Sequence, residues 1–141
     1  MDNLTPSQRS RTMSLIRSQD TTPELTIRRL LFSRGMRFRK HDNSLPGCPD
    51  LVFVKSKVAV FIEGDYWHGW RFPLWKKKLA PYWQAKIEGN RQRDRRNLRR
   101  LRTRGWLPIR IWEHDVERDP ERCVERVVVE IQRRLRSGSE S

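Results

Sequence analysis

Two acidic residues, Asp50 and Glu63, bracket a pair of apolar runs, Leu51 to Val54 and Val58 to Ile62, that are rich in β-branched residues and separated by Lys55-Ser56-Lys57. The pattern reads as a β-hairpin. With Ser56 and Lys57 as the central turn residues, Asp50 falls directly opposite Glu63, Cβ atoms about 5 Å apart on one side of the sheet. Like charges so placed repel, the more so where Val52 and Phe61 exclude water, unless one is protonated or a divalent cation sits between them. Carboxylate oxygens without soft ligands nearby suit Mg²⁺, which would complete its shell with waters and phosphate oxygens. The plainer alternative is that Asp50 closes the Pro49 turn and Glu63 merely ends a strand. Ser-Lys is not the favoured Asn-Gly turn, and a one-residue slip would send the two acids to opposite faces.

The segment Glu63-Gly64-Asp65-Tyr66-Trp67-His68 adds context. A histidine this close to an acid pair can act as general acid or base near neutral pH. Tyr66 and Trp67 in a polar loop either close one end of the core or stack on bases. Glu24 lies three residues before Ile27 and seven before Leu31, on the buried side of a helix. There it is either a rim partner of the helix dipole or a carboxylate aimed across the core, and spacing does not choose.

These side chains need elements to hold them. Thr5-Pro6-Ser7-Gln8 and Thr21-Thr22-Pro23-Glu24 both resemble helix starts, and Gly35 is a natural stop for the second helix, whose core stripe is Ile27, Leu30 and Leu31. Met36 to Lys40 alternates as a short edge strand, and His41 to Pro49 is a loop of turn formers. The hairpin is apolar on both faces, so helices should cover both sides. Trp106 to Trp112 is a further strand, and Asp119-Pro120-Glu121 opens a last helix with the stripe Val124, Val127, Val128, Ile131 and Leu135. Residues 137–141 are expected as a disordered tail. With no repeat or linker, residues 1–136 form one α/β domain, a mixed sheet flanked by helices, with an N-terminal helical arm at about 5–18.

The chain has 141 residues and a formal charge of +14, from 31 Lys and Arg against 17 Asp and Glu. That excess is most easily offset by a polyanion. More than half of it lies between Lys86 and Arg110, with ten basic and two acidic residues. Few acids lie at helical spacing to pair with those arginines, so a phosphate-facing surface is the better reading, with RNA or a membrane surface still open. On the same helix Trp83, Ile87, Asn90, Asp94 and Leu98 share a side. Asn90 and Asp94 there would hydrogen-bond within the domain or line the floor of the site, a salt bridge from Asp94 to an arginine being at least as good a reading as catalysis. No apolar run approaches the roughly 20 residues that cross a bilayer, and the N-terminus carries no secretory segment. Two cysteines, Cys48 and Cys123, make no disulfide framework. A cytoplasmic, nucleoid-associated protein is the expectation.

Leu45-Pro46-Gly47-Cys48-Pro49-Asp50 followed by Phe61-Ile62-Glu63-Gly64-Asp65-Tyr66-Trp67-His68 resembles the very short patch repair (Vsr) endonucleases. Arg9-Ser10-Arg11-Thr12-Met13, Thr22-Pro23-Glu24-Leu25, Tyr82-Trp83-Gln84-Ala85-Lys86, Arg93-Asp94-Arg95-Arg96, Gly105-Trp106 and Ile111-Trp112-Glu113 continue the resemblance over roughly residues 8 to 115. Each motif alone is weak; the ordered set is specific. The resemblance implies a restriction-endonuclease-like fold of the PD-(D/E)XK type. It implies a Mg²⁺-dependent enzyme that nicks one strand of double-stranded DNA 5′ to the T of a G·T mismatch, acting as a monomer. It implies that Asp50 and the Ile62 backbone carbonyl hold Mg²⁺, one ion or two with help from Glu63, and that Glu24 and His68 organise water and phosphate. Tyr66, Trp67 and Trp83 correspond to aromatics that intercalate near the mismatch. Lys86, Arg91, Arg93, Arg95 and Arg96 would face the DNA backbone.

The chain departs from the family at a structural zinc site commonly made of an aspartate, a histidine and two cysteines. Asp42 survives and His114 stands where a cysteine is expected, while the His and Cys beyond His68 are replaced around Gly69-Trp70-Arg71-Phe72. A four-ligand structural zinc is therefore not expected; Trp70 and Phe72 would pack in its place. Asp65 stands where a cysteine is often found. Two other readings stay open: a less selective DNA endonuclease of a restriction or phage-defence system, and a DNA-binding module without activity. Protein partners from mismatch repair or from a methylation or defence system belong with the first two.

Overall fold

Thr21 caps the first described helix, α1 (Thr22–Ser33), accepting the Glu24 N–H on its hydroxyl at 3.4 Å with Pro23 in the opening turn. Gly35, at φ +76°, ends it as expected, and the Met36 N–H turns back to the Leu31 carbonyl at 3.1 Å. The structure is a computed structural model and describes residues 20–65 and 75–140. The expected N-terminal arm, together with Tyr66, Trp67, His68, Trp70 and Phe72, lies outside the described residues.

Beyond α1 come β1 (Arg39–Lys40), β2 (Leu51–Phe53), β3 (Val58–Glu63), a short 3₁₀ turn at Lys76–Lys78, α2 (Pro81–Thr103), β4 (Leu107–Trp112), α3 (Glu113–Arg118) and α4 (Pro120–Glu140). The strands form one mixed sheet in the order β1-β2-β3-β4, antiparallel except for the parallel pair β3 and β4. A parallel pair needs a long crossover, and the basic helix α2 lies within it. α4 is helical to Glu140, so its last turns take in residues expected as a loose tail. Among the described residues no helix is long and apolar enough to cross a membrane.

The alternation expected for strands covered on both faces holds. Leu51, Phe53, Val58, Val60, Ile109 and Ile111 join Ile27 and Leu31 of α1 and Val124, Val127 and Ile131 of α4 in the larger core. Val52, Ala59 and Phe61 point the other way, to Leu101 of α2. Met36 to Lys40 pairs only over Arg39 and Lys40, opposite Val52 and Leu51.

The hairpin register differs from the expected one. Leu51 pairs with Val60, Val52 with Ala59 and Phe53 with Val58, so Asp50 is not directly opposite Glu63. The turn takes four residues because Val54 leaves the strand. Ser56 folds inward to donate to the Phe53 carbonyl at 3.3 Å, and Lys57 adopts φ +55°. Contacts from afar hold that turn: the Leu107 N–H reaches the Lys57 carbonyl at 2.8 Å and Arg134 reaches the Ser56 carbonyl at 2.6 Å. The shift is by two residues, an even number, so it does not by itself turn the two acids to opposite faces.

Candidate active site

Asp50 is set by the loop before it. Gly47 at φ +80° passes so close to α2 that an added Cβ would lie 3.1 Å from the Phe61 ring and 3.2 Å from the Asn97 Cβ. Past it, the Asp42 N–H donates to the Pro49 carbonyl at 3.2 Å and the His41 N–H to the Asp50 carbonyl at 2.9 Å. The Asp50 N–H donates to the Val60 carbonyl at 3.0 Å, and its side chain accepts the Ile62 N–H at 2.7 Å. The aspartate is thus fixed at the strand end from both main chain and side chain.

Glu24 comes to it from α1. It is 1% exposed, its inward aim now explicit, and its carboxylate meets His41 Nε2 at 2.9 Å and Arg28, one turn on, at 3.1 Å. Burial, then the Glu24 carboxylate and that of Glu63, push the Asp50 acid up from 3.8 to about 7, while the Ile62 N–H pulls the other way. Three carboxylates from α1, β2 and β3 therefore influence one small volume at the end of the sheet.

Glu63 has a different neighbourhood. It is 4% exposed and accepts from Nε of Arg110 on β4. Nη2 of Arg110 is 3.3 Å from Asp94 of α2, so Asp94 makes its salt bridge to an arginine across the domain. The guanidinium stacks 4.7 Å from the centre of the Trp112 ring. The residues expected as zinc remnants lead elsewhere: Asp42 accepts the Ser44 N–H at 2.9 Å, and His114 Nδ1 lies 2.7 Å from Asp65. Bonding to the Ser44 hydroxyl and N–H holds the Asp42 acid low.

Trp83, expected against DNA bases, is 4% exposed, because Trp83 and Ile87 are the buried residues at the start of the α2 stripe. The exposed aromatic beside it is Tyr82, at 64%, edge-on with ring centres 4.9 Å apart. Lys86 carries its ammonium 5.6 Å from the centre of the Trp83 ring. Arg93, Arg95 and Arg96 are exposed along α2, and Arg91 is half-buried against Glu88.

His41, Arg28 and Arg110 belong to the site and were not singled out from the sequence. Arg28 had a local signal, four residues beyond Glu24. His41 and Arg110 had none, since their partners are 17 and 47 residues away. Asp20, Glu24 and His41 bring ligand atoms within 4.8 Å of one another and could hold a metal ion, although Asp20 is exposed and already pairs with Arg28 at 2.8 Å.

The family model described as DNA mismatch endonuclease Vsr matches residues 1–73. Type II nicking enzyme V.NmeDIP of Neisseria meningitidis serogroup C is 40% identical over 133 residues, 90% of this chain and 88% of that protein. Type II nicking enzyme V.HpaIIP of Haemophilus parainfluenzae is 40% identical over 126 residues, covering 86% and 89%. DNA mismatch endonuclease Vsr of Escherichia coli K12 is 37% identical over 107 residues, covering 74% and 69%. The match to the first of these relatives covers 90% of this chain at 40% identity, and the chain belongs to the Vsr family of DNA mismatch endonucleases.

Proposed function

We propose that this endonuclease nicks one strand of double-stranded DNA 5′ to the T of a G·T mismatch, with Mg²⁺ held at Asp50 in a PD-(D/E)XK-type site. The observation that carries this reading is the convergence of Glu24, Asp50 and Glu63 at the sheet end beneath a basic helix. Asp50 is pushed to about 7 by its burial and then by the Glu24 and Glu63 carboxylates, and a hard divalent cation would offset that cost. The donors fit such an ion: they are carboxylate oxygens with no thiolate among them, and Ile62, whose N–H is held by Asp50, adjoins them in the chain.

Asp50 and the Ile62 carbonyl would hold the ion, with Glu63 alongside. The ion supplies Lewis acidity at the scissile phosphate and makes water a better nucleophile. Glu24, held by Arg28 and His41, orients the attacking water from the flank of Asp50. His68 takes or returns its proton. Lys86, Arg91, Arg93, Arg95 and Arg96 neutralise phosphates and so fix the register of the duplex. Tyr66 and Trp67 act as wedges near the mismatch, whereas Trp83 supports Lys86 from below. No structural zinc is part of this reading, since the family's His and Cys beyond His68 are replaced around Gly69-Trp70-Arg71-Phe72.

The test is nicking of G·T and matched duplexes side by side with Mg²⁺, by the wild type and by Asp50→Ala. Cleavage in the mutant should fall at least about a thousandfold, which corresponds to about 4 kcal/mol of transition-state stabilisation. Retained cleavage would remove Asp50 from the centre. Equal rates on the two duplexes would leave a nuclease without mismatch preference.

A further inference from the structure

Arg110 stands between two acids that come from different elements. Its Nε donates to Glu63 at the end of β3, and its Nη2 is 3.3 Å from Asp94 on α2. Its guanidinium carbon lies over the Trp112 ring, 4.7 Å from the centre, and Arg126 of α4 donates to its backbone carbonyl at 2.9 Å. The Arg110 side chain is 25% exposed and that of Glu63 only 5%. A planar guanidinium gripped in this way has one orientation and a permanent charge. It gives two carboxylates the positive charge that a second divalent ion would otherwise give them. Asp50, by contrast, is left among like charges.

We propose that Arg110 is a positioning residue of the nicking centre: by pairing with Glu63 and Asp94 it takes the place of a second divalent ion, so the centre holds one ion, at Asp50. The proposal rests on the reading of Asp50 as the holder of the ion. Glu63 then acts through Arg110, closing the far side of the site, and is not itself a ligand. Removing the guanidinium takes away the cation that Glu63 and Asp94 share, and their oxygens are of the kind a divalent ion takes.

Counting bound Mn²⁺ tests this, using electron paramagnetic resonance of the free ion during titration of the full chain without DNA. Circular dichroism checks that each variant is folded. The wild type should bind one Mn²⁺, Asp50→Asn none, Arg110→Gln two, and Arg110→Lys, which keeps a charge in place, one. Two ions in the wild type, two in Arg110→Lys, or one in folded Arg110→Gln overturns the role of Arg110. Undiminished binding by Asp50→Asn, or none by the wild type, overturns instead the reading of Asp50 on which it rests. Should Arg110→Gln not fold, Glu63→Gln decides, with Arg110 intact. One Mn²⁺ bound within about threefold of wild-type affinity supports the proposal, because an amide oxygen still accepts from Arg110. A tenfold loss makes Glu63 a ligand and overturns it.

Discussion

The two faces of the sheet are filled differently. Toward α1, α3 and α4 the core is dry and continuous, with Ile27, Leu31, Leu51, Val58, Val60, Val124 and Val127 all fully buried. Toward α2 the apolar cluster comprises Val52, Ala59, Phe61 and Leu101, and then gives way to Glu63, Asp94 and Arg110. α2 itself is anchored at its ends, by Trp83 and Ile87 at one and Leu101 at the other. Its middle turns are not part of a core and can be polar below and basic above. One face carries the stability of the domain, and the other, proposed above to meet DNA, gives up part of its packing to hold charge.

The contrast breaks if a core substitution on the dry face harms catalysis more than folding. Leu31→Ala should cost about 3 kcal/mol of stability, the lost burial plus the cavity left behind. Denaturant titration would show the loss, while nicking per folded molecule stays at the wild-type rate. Asp50→Asn should do the reverse, stabilising the metal-free protein while destroying nicking. The folded state holds the Asp50 proton up to about 7, whereas an unfolded chain releases it near 3.8. The folded state thus binds the extra proton, and stability is fully present below the unfolded value and falls as pH rises through the folded one, by up to about 1.4 kcal/mol per pH unit. Burial, then Glu24 and Glu63, raise the group, and Arg28 and His41 sit on Glu24. In EDTA the advantage of Asp50→Asn over the wild type should therefore grow from pH 5 to pH 8. A constant difference would remove the charge crowding inferred around Asp50.

A smaller effect tests the seam between the faces. Gly47→Ala forces a side chain into left-handed backbone and against Phe61 and Asn97. The expected cost is about 1–2 kcal/mol for the backbone alone. Because the same loop delivers Asp50, the Mg²⁺ concentration needed for half-maximal nicking should rise as well. An unchanged Mg²⁺ requirement would mean that the loop is merely a connection.

Local signals made much of this readable. The Thr21 cap, the Gly35 stop and the stripe of Ile27 and Leu31 define α1, and they carry Glu24 inward with them. The hairpin strands were legible from their β-branched runs. The register was not, because Leu107 and Arg134 pin the turn from half a chain away. For the same reason His41 beside Glu24 and Arg110 beside Glu63 escaped notice, since pairing across the domain leaves no spacing in the sequence. Trp83 was visible twice, as a family aromatic and as the first residue of an apolar stripe, and the stripe describes where it lies.

The least effect on stability is expected on the outer side of α2. Arg93 and Arg96 are exposed on the helix whose middle is spared from core duty. Replacing either with alanine should change folding stability by less than about 0.5 kcal/mol. On DNA the outcome is different in kind. Each arginine that neutralises a phosphate releases counterions, so each loss should flatten the dependence of log affinity on log salt by about 0.9. Matched and mismatched duplexes should weaken alike, because a phosphate contact carries no base information. A substitution that left the salt slope intact while lowering affinity for the mismatch alone would assign that arginine to base recognition, and the division of labour between the faces would then extend into α2 itself.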